Sequence, residues 1–398
     1  MSKKPSGSAL EVFAVFLQLG LTSFGGPVAH VGYFRDELVA KRRWLDDGTF
    51  ARLFALCQVL PGPASSQLGF SLGLMRAGGL GALAAFVGFT APSAILMLLF
   101  ASWLPRLDDP VGSAVIHGLK VVALAVVSNA VLGMSRRLCP DRRRATLTAL
   151  SAAVVLVVDD LWVQAVLIVL GAAVGQVVCR EVPQPTYGEA VTVHGTRAGA
   201  FLLFLFCAVL LLLPALAGAF AYGPAVDGFY RAGCLVFGGG HVVLPFLERT
   251  VVDPGWLTRD EFLAGYGAAQ AVPGPMFSLS AFLGARLPDE LGGTAGAAVA
   301  VLALFLPGFL LVAGVLPWWH RLAERPGAAR ASAGMGAVVL GILVASLYDP
   351  VWTGAVDGPS DVAVALVGFT LGAAWRAPAW SVVLWCVAAT VLLRSVGW

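Results

Sequence analysis

Apolar residues fall into long runs along this chain, separated by short clusters of charge. The runs cover 10–24, 79–103, 111–134, 145–158 and 161–178, then 198–221, 224–237, 291–316, 328–347, 360–375 and 379–396. Such runs predict membrane-crossing helices, because a ~30 Å hydrocarbon core takes about 20 helical residues. Two further helices are interrupted. Asp46 or Asp47 can cap a helix that reaches Gln58 and Leu60, where Pro61-Gly62-Pro63 breaks it. Thr258 and Glu261 have the spacing of a capping box for a second helix, which reaches Gln270 and breaks at Pro273-Gly274-Pro275. Proline has no amide hydrogen, so Pro61 and Pro63 cannot donate to the carbonyls of Cys57 and Val59. A new helix can start with Pro63 in its first turn, leaving free amides near Ala64, Ser65 and Ser66 and a partial positive charge at the gap. About 14 residues at ~1.5 Å each carry the first break roughly 21 Å from the helix start, which is membrane depth.

The same order of residues occurs twice. Phe24-Gly25-Gly26, His30, Glu37, Trp44-Leu45, Phe50, Gln58 and Pro61-Gly62-Pro63 are followed later by Phe237-Gly238-Gly239, His241, Glu248, Trp256-Leu257, Phe262, Gln270 and Pro273-Gly274-Pro275. Ala91-Pro92 against Leu306-Pro307 and Gly118 against Gly334 continue the register. This internal repeat divides the chain into a first half, 1–180, a linker with one central helix, 181–223, and a second half, 224–398. Counting each broken helix as a crossing gives about six spans per half and roughly thirteen in all. If the first run and the broken helix of each half are re-entrant, about four remain per half. Both counts are even, so the odd central helix inverts the second half relative to the first, as in many carriers with a site at the midplane.

Composition agrees with this reading. Of 398 residues 58% are hydrophobic and 12% charged, which makes the chain an all-α polytopic membrane protein. The net charge of +3 does not suggest a nucleic-acid partner. The six cysteines are scattered without metal-ligand spacing, so neither a disulfide framework nor a zinc site is implied, and no cofactor or metal is expected. The polar start at 1–8, with Lys3 and Lys4, has no cleavage site after the first run, so no cleaved signal peptide is expected. Lys3, Lys4, Arg136, Arg137, Arg142, Arg143, Arg144, Arg321, Arg325 and Arg330 fall on one side, against Asp159, Asp160, Asp349 and Asp357 on the other. That bias places the N-terminus in the cytoplasm. The basic stretch from Arg35 to Arg43 is an exception under the larger span count and returns inside if the break is re-entrant.

Several residues are candidates for chemistry. A broken helix tolerates bare backbone at membrane depth only where it is buried in protein or lines a cavity, and helix N-termini favour anions. A kink for helix packing is the plainer reading of one break. Its duplication, with Gln58 and Gln270 before it and the hydroxyls of Ser65, Ser66, Ser278 and Ser280 after it, favours a small oxyanion site. The glycines Gly25, Gly26, Gly238, Gly239 and Gly240 allow close approach of a ligand or, equally, of another helix. His30 and Glu37, like His241 and Glu248, stand seven residues apart, about 10 Å along a helix. That is too far for a shared metal. Glu37 and Glu248 suit proton coupling, or they pair with Arg35 and Arg249 near the headgroups. Lys120 is a lone cation deep in its run, with His117 one turn before it and Asn129 beyond, and a dianion would explain it most directly.

Phe24-Gly25-Gly26-Pro27 with His30, then Arg43-Trp44-Leu45 and Gln58 to Pro63, duplicated as Phe237-Gly238-Gly239-Gly240-His241 with Gln270 to Pro275, resemble the two-domain bacterial chromate ion transporters. The likeness runs from Val12 to Val396. It implies an inner-membrane secondary transporter that exports chromate and confers chromate resistance, with sulfate as the close analogue. Sulfate uptake or exchange is the alternative, since the two ions share shape and charge. A membrane-embedded enzyme acting on lipid-phosphate head groups is a third reading, but it needs clustered acids, and only Asp108-Asp109 and Asp159-Asp160 approach that. No nucleotide-binding loop or hydrolase motif is present, so the chain is expected not to be an enzyme. The lipid bilayer is its environment, and a homodimer is one arrangement open to it.

Overall fold

The computed structural model describes residues 7–107, 109–158, 160–180, 195–237, 240–319 and 326–396. Lys3, Lys4, Asp108, Asp159, Arg321, Arg325 and residues 181–194 of the expected linker lie outside them. Among the described residues the fold is helical, with no strand. The first half contributes α1 (Ala9–Thr22), α2 (Gly26–Phe34) with a wide helical turn (Arg35–Lys41), α3 (Asp47–Val59), α4 (Ala64–Trp103), α5 (Pro110–Leu138), α6 (Arg142–Val157) and α7 (Leu161–Val178). The central helix is α8 (Thr196–Leu216). The second half contributes α9 (Gly223–Leu235), α10 (Val243–Val252), α11 (Arg259–Ala269), α12 (Leu279–Ala285), α13 (Gly293–Val315), α14 (Pro326–Ser346), α15 (Pro359–Ala373) and α16 (Ala379–Ser395).

The local signals act where the sequence puts them. The Asp46 side chain caps α3 by accepting from the Thr49 amide, and Thr258 with Glu261 forms the capping box of α11. Leu60 ends α3, and α4 starts after Pro63. Gly62 has φ +123° and Gly274 φ +99°, a backbone region open to glycine at no steric cost.

α4 is not one rod. Ala77 and Gly78 leave helical geometry, and Gly73 lies against the carbonyl of Gly81, so the limbs 64–76 and 79–103 fold back on each other. α12 and α13 make the matching corner, with Gly284 against Gly296. Such contacts need small residues, because close approach of backbones is what holds helices together in lipid.

Among the described residues five stretches are long and apolar enough to cross a membrane: Ala64–Arg106, Pro110–Leu138, Thr196–Ala219, Gly293–Trp318 and Gly327–Ala355. Long helices alone therefore do not reach the expected count of about thirteen. Five shorter apolar helices of 10–17 residues accompany them. Only 11% of the most apolar window of α8 is buried, so this helix stands at the outside of the bundle, touching the body through Gly199 against Gly314 and Tyr230 Oη donating to Phe206 O.

The halves interleave. α5 packs on α15 and α16 of the second half, with Gly118 against the backbone of Val387. Conversely α14 packs on α6 and α7, with Gly171 and Gly175 against Gly334. α6 runs parallel to α14, Thr148 bonding Ala337 O and Ser151 facing Gly341, while α7 runs antiparallel to it. These directions gather Arg136, Arg137, Arg142, Arg143, Arg144, Arg180 and Arg330 at one end of the bundle, and Asp160 and Asp349 at the other.

Candidate anion-binding site

Each Pro-Gly-Pro break docks on the opposite half. The Gly62 amide donates to Val236 O at 2.7 Å, and the Gly274 amide donates to Ser23 O at 2.9 Å. Ser23 and Val236 stand directly before Phe24-Gly25 and Phe237-Gly238, so the two bonds join equivalent positions. Each glycine also rests on the proline-containing long helix of the other half. A Cβ on Gly62 would come 2.8 Å from Gly308 Cα, and one on Gly274 2.9 Å from Ser93 Oγ. Gly308 follows Pro307 and Ser93 follows Pro92. Gln67 Nε2 bridges the carbonyls of Pro61 (2.8 Å) and Gly308 (3.0 Å), satisfying backbone that the break exposes.

Around the first break lies a group of buried polar side chains. His30 is fully buried, its Nδ1 3.4 Å from Ser65 Oγ and its ring edge-on to Phe89 at 5.3 Å. Phe89 O is in turn 3.2 Å from where a Gly274 Cβ would stand, so the His30–Phe89 contact links the neighbourhoods of the two breaks. Ser23 Oγ, His30 Nε2, Ser66 Oγ, Gln67 Oε1 and Thr90 Oγ1 are buried without a hydrogen-bond partner among the described residues. Buried polar atoms are almost always satisfied, and each one left bare costs on the order of 1–3 kcal/mol. A cluster of them beside free first-turn amides of α4 fits a polar guest. The donors present, hydroxyl, imidazole and amide, are those an oxyanion accepts from.

The second break is built differently. It leads into the single tight turn Met276–Ser278 and the seven-residue α12, which offers no long helix N-terminus. Ser278 and Ser280 are buried, and Ser280 Oγ is spent on Phe277 O. Gln270 Nε2 bonds Tyr266 O, and His241 Nδ1 meets Tyr266 Oη at 2.6 Å. Gly240 is buried; Gly238 and Gly239 lie outside the described residues. Gly25 and Gly26 have φ +105° and +78°, so that cluster is needed for the turn into α2.

Gln58 instead lines a cavity of about 190 Å³ with Arg137, Leu138, Phe237, Ser332 and Met335. Arg137 is exposed and makes no ion pair among the described residues. In the sequence Arg137 reads only as a topology charge; in the last turn of α5 it lines the same cavity as Gln58, three residues before the first break.

Lys120 has a partner of its own. It is buried and its Nζ lies 2.9 Å from Asp260 Oδ1 at the start of α11, so an anion is not required to explain it. Glu37 is bonded by Arg42 at 2.7 Å and Lys41 at 3.1 Å, and Glu248 by Arg259 at 3.3 Å, rather than by Arg35 and Arg249. Both glutamates lie outside the five long spans. The Arg42 hydrogen bond holds the Glu37 carboxyl below its ordinary range, whereas burial pushes that of Glu248 up. Equivalent residues thus sit in opposite electrostatic settings.

Interrupted helices tied across two interleaved halves, in a chain with long apolar spans, define a multi-pass membrane protein. The family described as chromate transporter is matched twice, by residues 10–177 and 223–392, and the chain belongs to it. It is 32% identical to a chromate transport protein of Pseudomonas aeruginosa over 77% of this chain and 72% of that one. It is 30% identical to a probable chromate transport protein of Synechococcus elongatus, over 81% and 79% respectively. A chromate transport protein of Cupriavidus metallidurans is 26% identical over 86% and 82%. No solved structure matches the chain.

Proposed function

We propose that this protein carries chromate out of the cell across the bacterial inner membrane by alternating access, with two inverted halves moving about the Pro-Gly-Pro breaks. The observation that carries the reading is the reciprocal pair of bonds, Gly62 to Val236 and Gly274 to Ser23. A contact made twice between equivalent positions can open on one face while it closes on the other. The anion is held by the first-turn amides of α4, Ser65, Ser66 and His30, and reaches them past Arg137 and Gln58. Gly25, Gly26, Pro61, Gly62 and Pro63 shape the first wall, and Gly240, His241, Gln270, Pro273, Gly274, Pro275 and Ser278 the second. The arginine-rich end is cytoplasmic, which puts the Arg137 cavity on the side from which an exporter loads. A membrane potential negative inside assists the outward movement by about 2.3 kcal/mol per charge per 100 mV, roughly twice that for a dianion.

Flux from chromate-loaded proteoliposomes tests this. An inside-negative potential is expected to speed efflux and external sulfate to compete, while Pro61→Ala combined with Pro273→Ala lowers the rate at least about tenfold, the range expected when a positioned site is lost. Undiminished flux in the double variant would remove the breaks from the pathway.

A further inference from the structure

The two equivalent glutamates differ in what surrounds them. Glu37 is held by two cations, Arg42 and Lys41. Glu248, 6% exposed in α10, has one hydrogen-bond partner among the described residues, Arg259 Nε at 3.3 Å, which is long for an ion pair. That arginine is shared, since its Nη1 donates to Asp349 Oδ1 at 2.9 Å. Glu248 lines a cavity of about 170 Å³ together with Gln164, Arg249, Asp253, Arg259 and Asp349. Gln164, on α7 of the other half, is 1% exposed, and its Oε1 has no partner among the described residues. A bare buried amide beside a polar cavity with room for several waters marks a site that a polar guest completes.

Charge decides which guest fits. Three carboxylates, Glu248, Asp253 and Asp349, border the cavity with two guanidiniums, Arg249 and Arg259. The excess negative charge repels an oxyanion and is removed by a single proton. A metal cation would have to displace Arg259, which already bonds both Glu248 and Asp349. Among the carboxylates Glu248 is the buried one; Asp253 and Asp349 are exposed. Burial pushes its carboxyl up, against the pull of Arg259 and with the support of Asp253 and Asp349.

We propose that Glu248, in the cavity it shares with Gln164 and Arg259, binds the proton that is exchanged for the outgoing oxyanion. The proposal rests on the transport reading above. Asp349 places the cavity at the end of the bundle opposite the arginines, so it loads from outside. There an O–H bond of a hydronium ion breaks as one forms on Glu248 Oε2, and the reverse step follows once the other face opens. The neutral carboxyl no longer attracts Arg259, which stays with Asp349, so the tie between α10 and α11 is released. α10 follows the turn that holds His241, and α11 runs to the second break, so both helices lead from this carboxyl to the second wall of the anion path. Among the described residues the other charged groups on the elements packed against α10, and the His241 imidazole, have partners or lie far away. Asp227 on α9 bonds Arg231, and His241 meets Tyr266; on α11 Asp260 bonds Lys120 and Glu261 bonds Arg286. α14 carries Arg330 at its far end.

The test measures chromate movement in proteoliposomes with the membrane potential clamped at zero and equal chromate dianion on both sides. In the parent protein, acid outside and alkali inside are expected to drive net efflux, which a pH-sensitive gate, changing only a rate, cannot do. Glu248→Gln, a mimic of the neutral carboxyl, is expected to abolish that efflux while chromate-for-chromate exchange, which moves no net proton, persists. In Asp349→Asn the pH midpoint of net efflux is expected to fall by about one unit, because a repelling carboxylate is lost and Arg259 is left to Glu248 alone. In Arg259→Gln it is expected to rise by about one unit, because the cation that favours the carboxylate is lost. Net efflux intact in Glu248→Gln, exchange lost there together with net efflux, or midpoints that stay put or move the same way in the other two variants would each overturn the proposal. Exchange without net efflux in the parent would overturn it while leaving chromate transport standing; no exchange in the parent would instead sink the transport reading.

Discussion

Gly62 and Gly274 show how much rests on one missing Cβ. Both have left-handed backbones, and both lie against a long helix of the opposite half, so alanine meets two penalties at once. The conformation costs about 1–2 kcal/mol and the added carbon a further ~1–3 kcal/mol. Gly62→Ala and Gly274→Ala are each expected to lower the thermal midpoint in detergent and the chromate flux together. Gly79→Ala is the control, since nothing lies within 4 Å of its Cβ and its φ is not positive. Equal losses at all three positions would mean that the breaks are ordinary loops. The residue scale also separates what sequence could give from what it could not. Asp46, Thr258 and Glu261 act through neighbours within three residues, and local spacing fixes them. The Lys120–Asp260 pair spans 140 residues, and only the packing of α5 on α11 creates it.

Among elements, the connectors between the short and the broken helices carry opposite acid–base behaviour. Glu37 lies in the wide turn after α2, and Glu248 lies in α10. A carboxylate whose folded pKa is depressed contributes stability that is present above its unfolded pKa and lost as pH falls through the folded value. That is the Glu37 case, with Arg42 as main cause. Burial raises Glu248, so its contribution is present below the unfolded pKa and lost as pH rises through the folded value. Relative to the parent, Glu37→Gln should therefore lose stability as pH is raised from about 4 to about 7, and Glu248→Gln should gain it, the ordinary glutamate range lying in that window. Thermal midpoints measured across it would contradict the assignment if the two variants move the same way. Element identity was largely legible beforehand, since the run boundaries at 79–103 and 379–396 lie close to α4's second limb and α16. The fold-back at Ala77-Gly78 was not, because Gly78-Gly79 between two apolar runs reads equally as a flexible joint. The second break also reads like the first in sequence. Its different continuation arises because Met276 and Phe277 are drawn into the core, where a tight turn serves better than a helix start.

The whole molecule is held together by exchange. Unpaired, α5 would present to lipid His117, Lys120 and the small Gly118, which in the assembled protein face α15, α11 and α16. α14 would likewise bare Gly334 and Gly341, whose partners are in α6 and α7. Polar groups in hydrocarbon are costly, and lipid offers nothing in place of the lost glycine contacts. Neither half is thus complete, although the family pattern is matched in each. Cutting the chain after residue 195 tests this directly. Produced separately, 1–195 and 196–398 are expected to aggregate or be degraded. Produced together in one cell, they should copurify and restore chromate flux, because the interface is made of helix faces and the two reciprocal bonds at Gly62 and Gly274, none of which needs a continuous chain. Either half folding and carrying chromate on its own would refute the interleaved arrangement. Copurification without flux would point to α8, whose covalent link to the first half is what the cut removes and whose surface is little buried by the bundle.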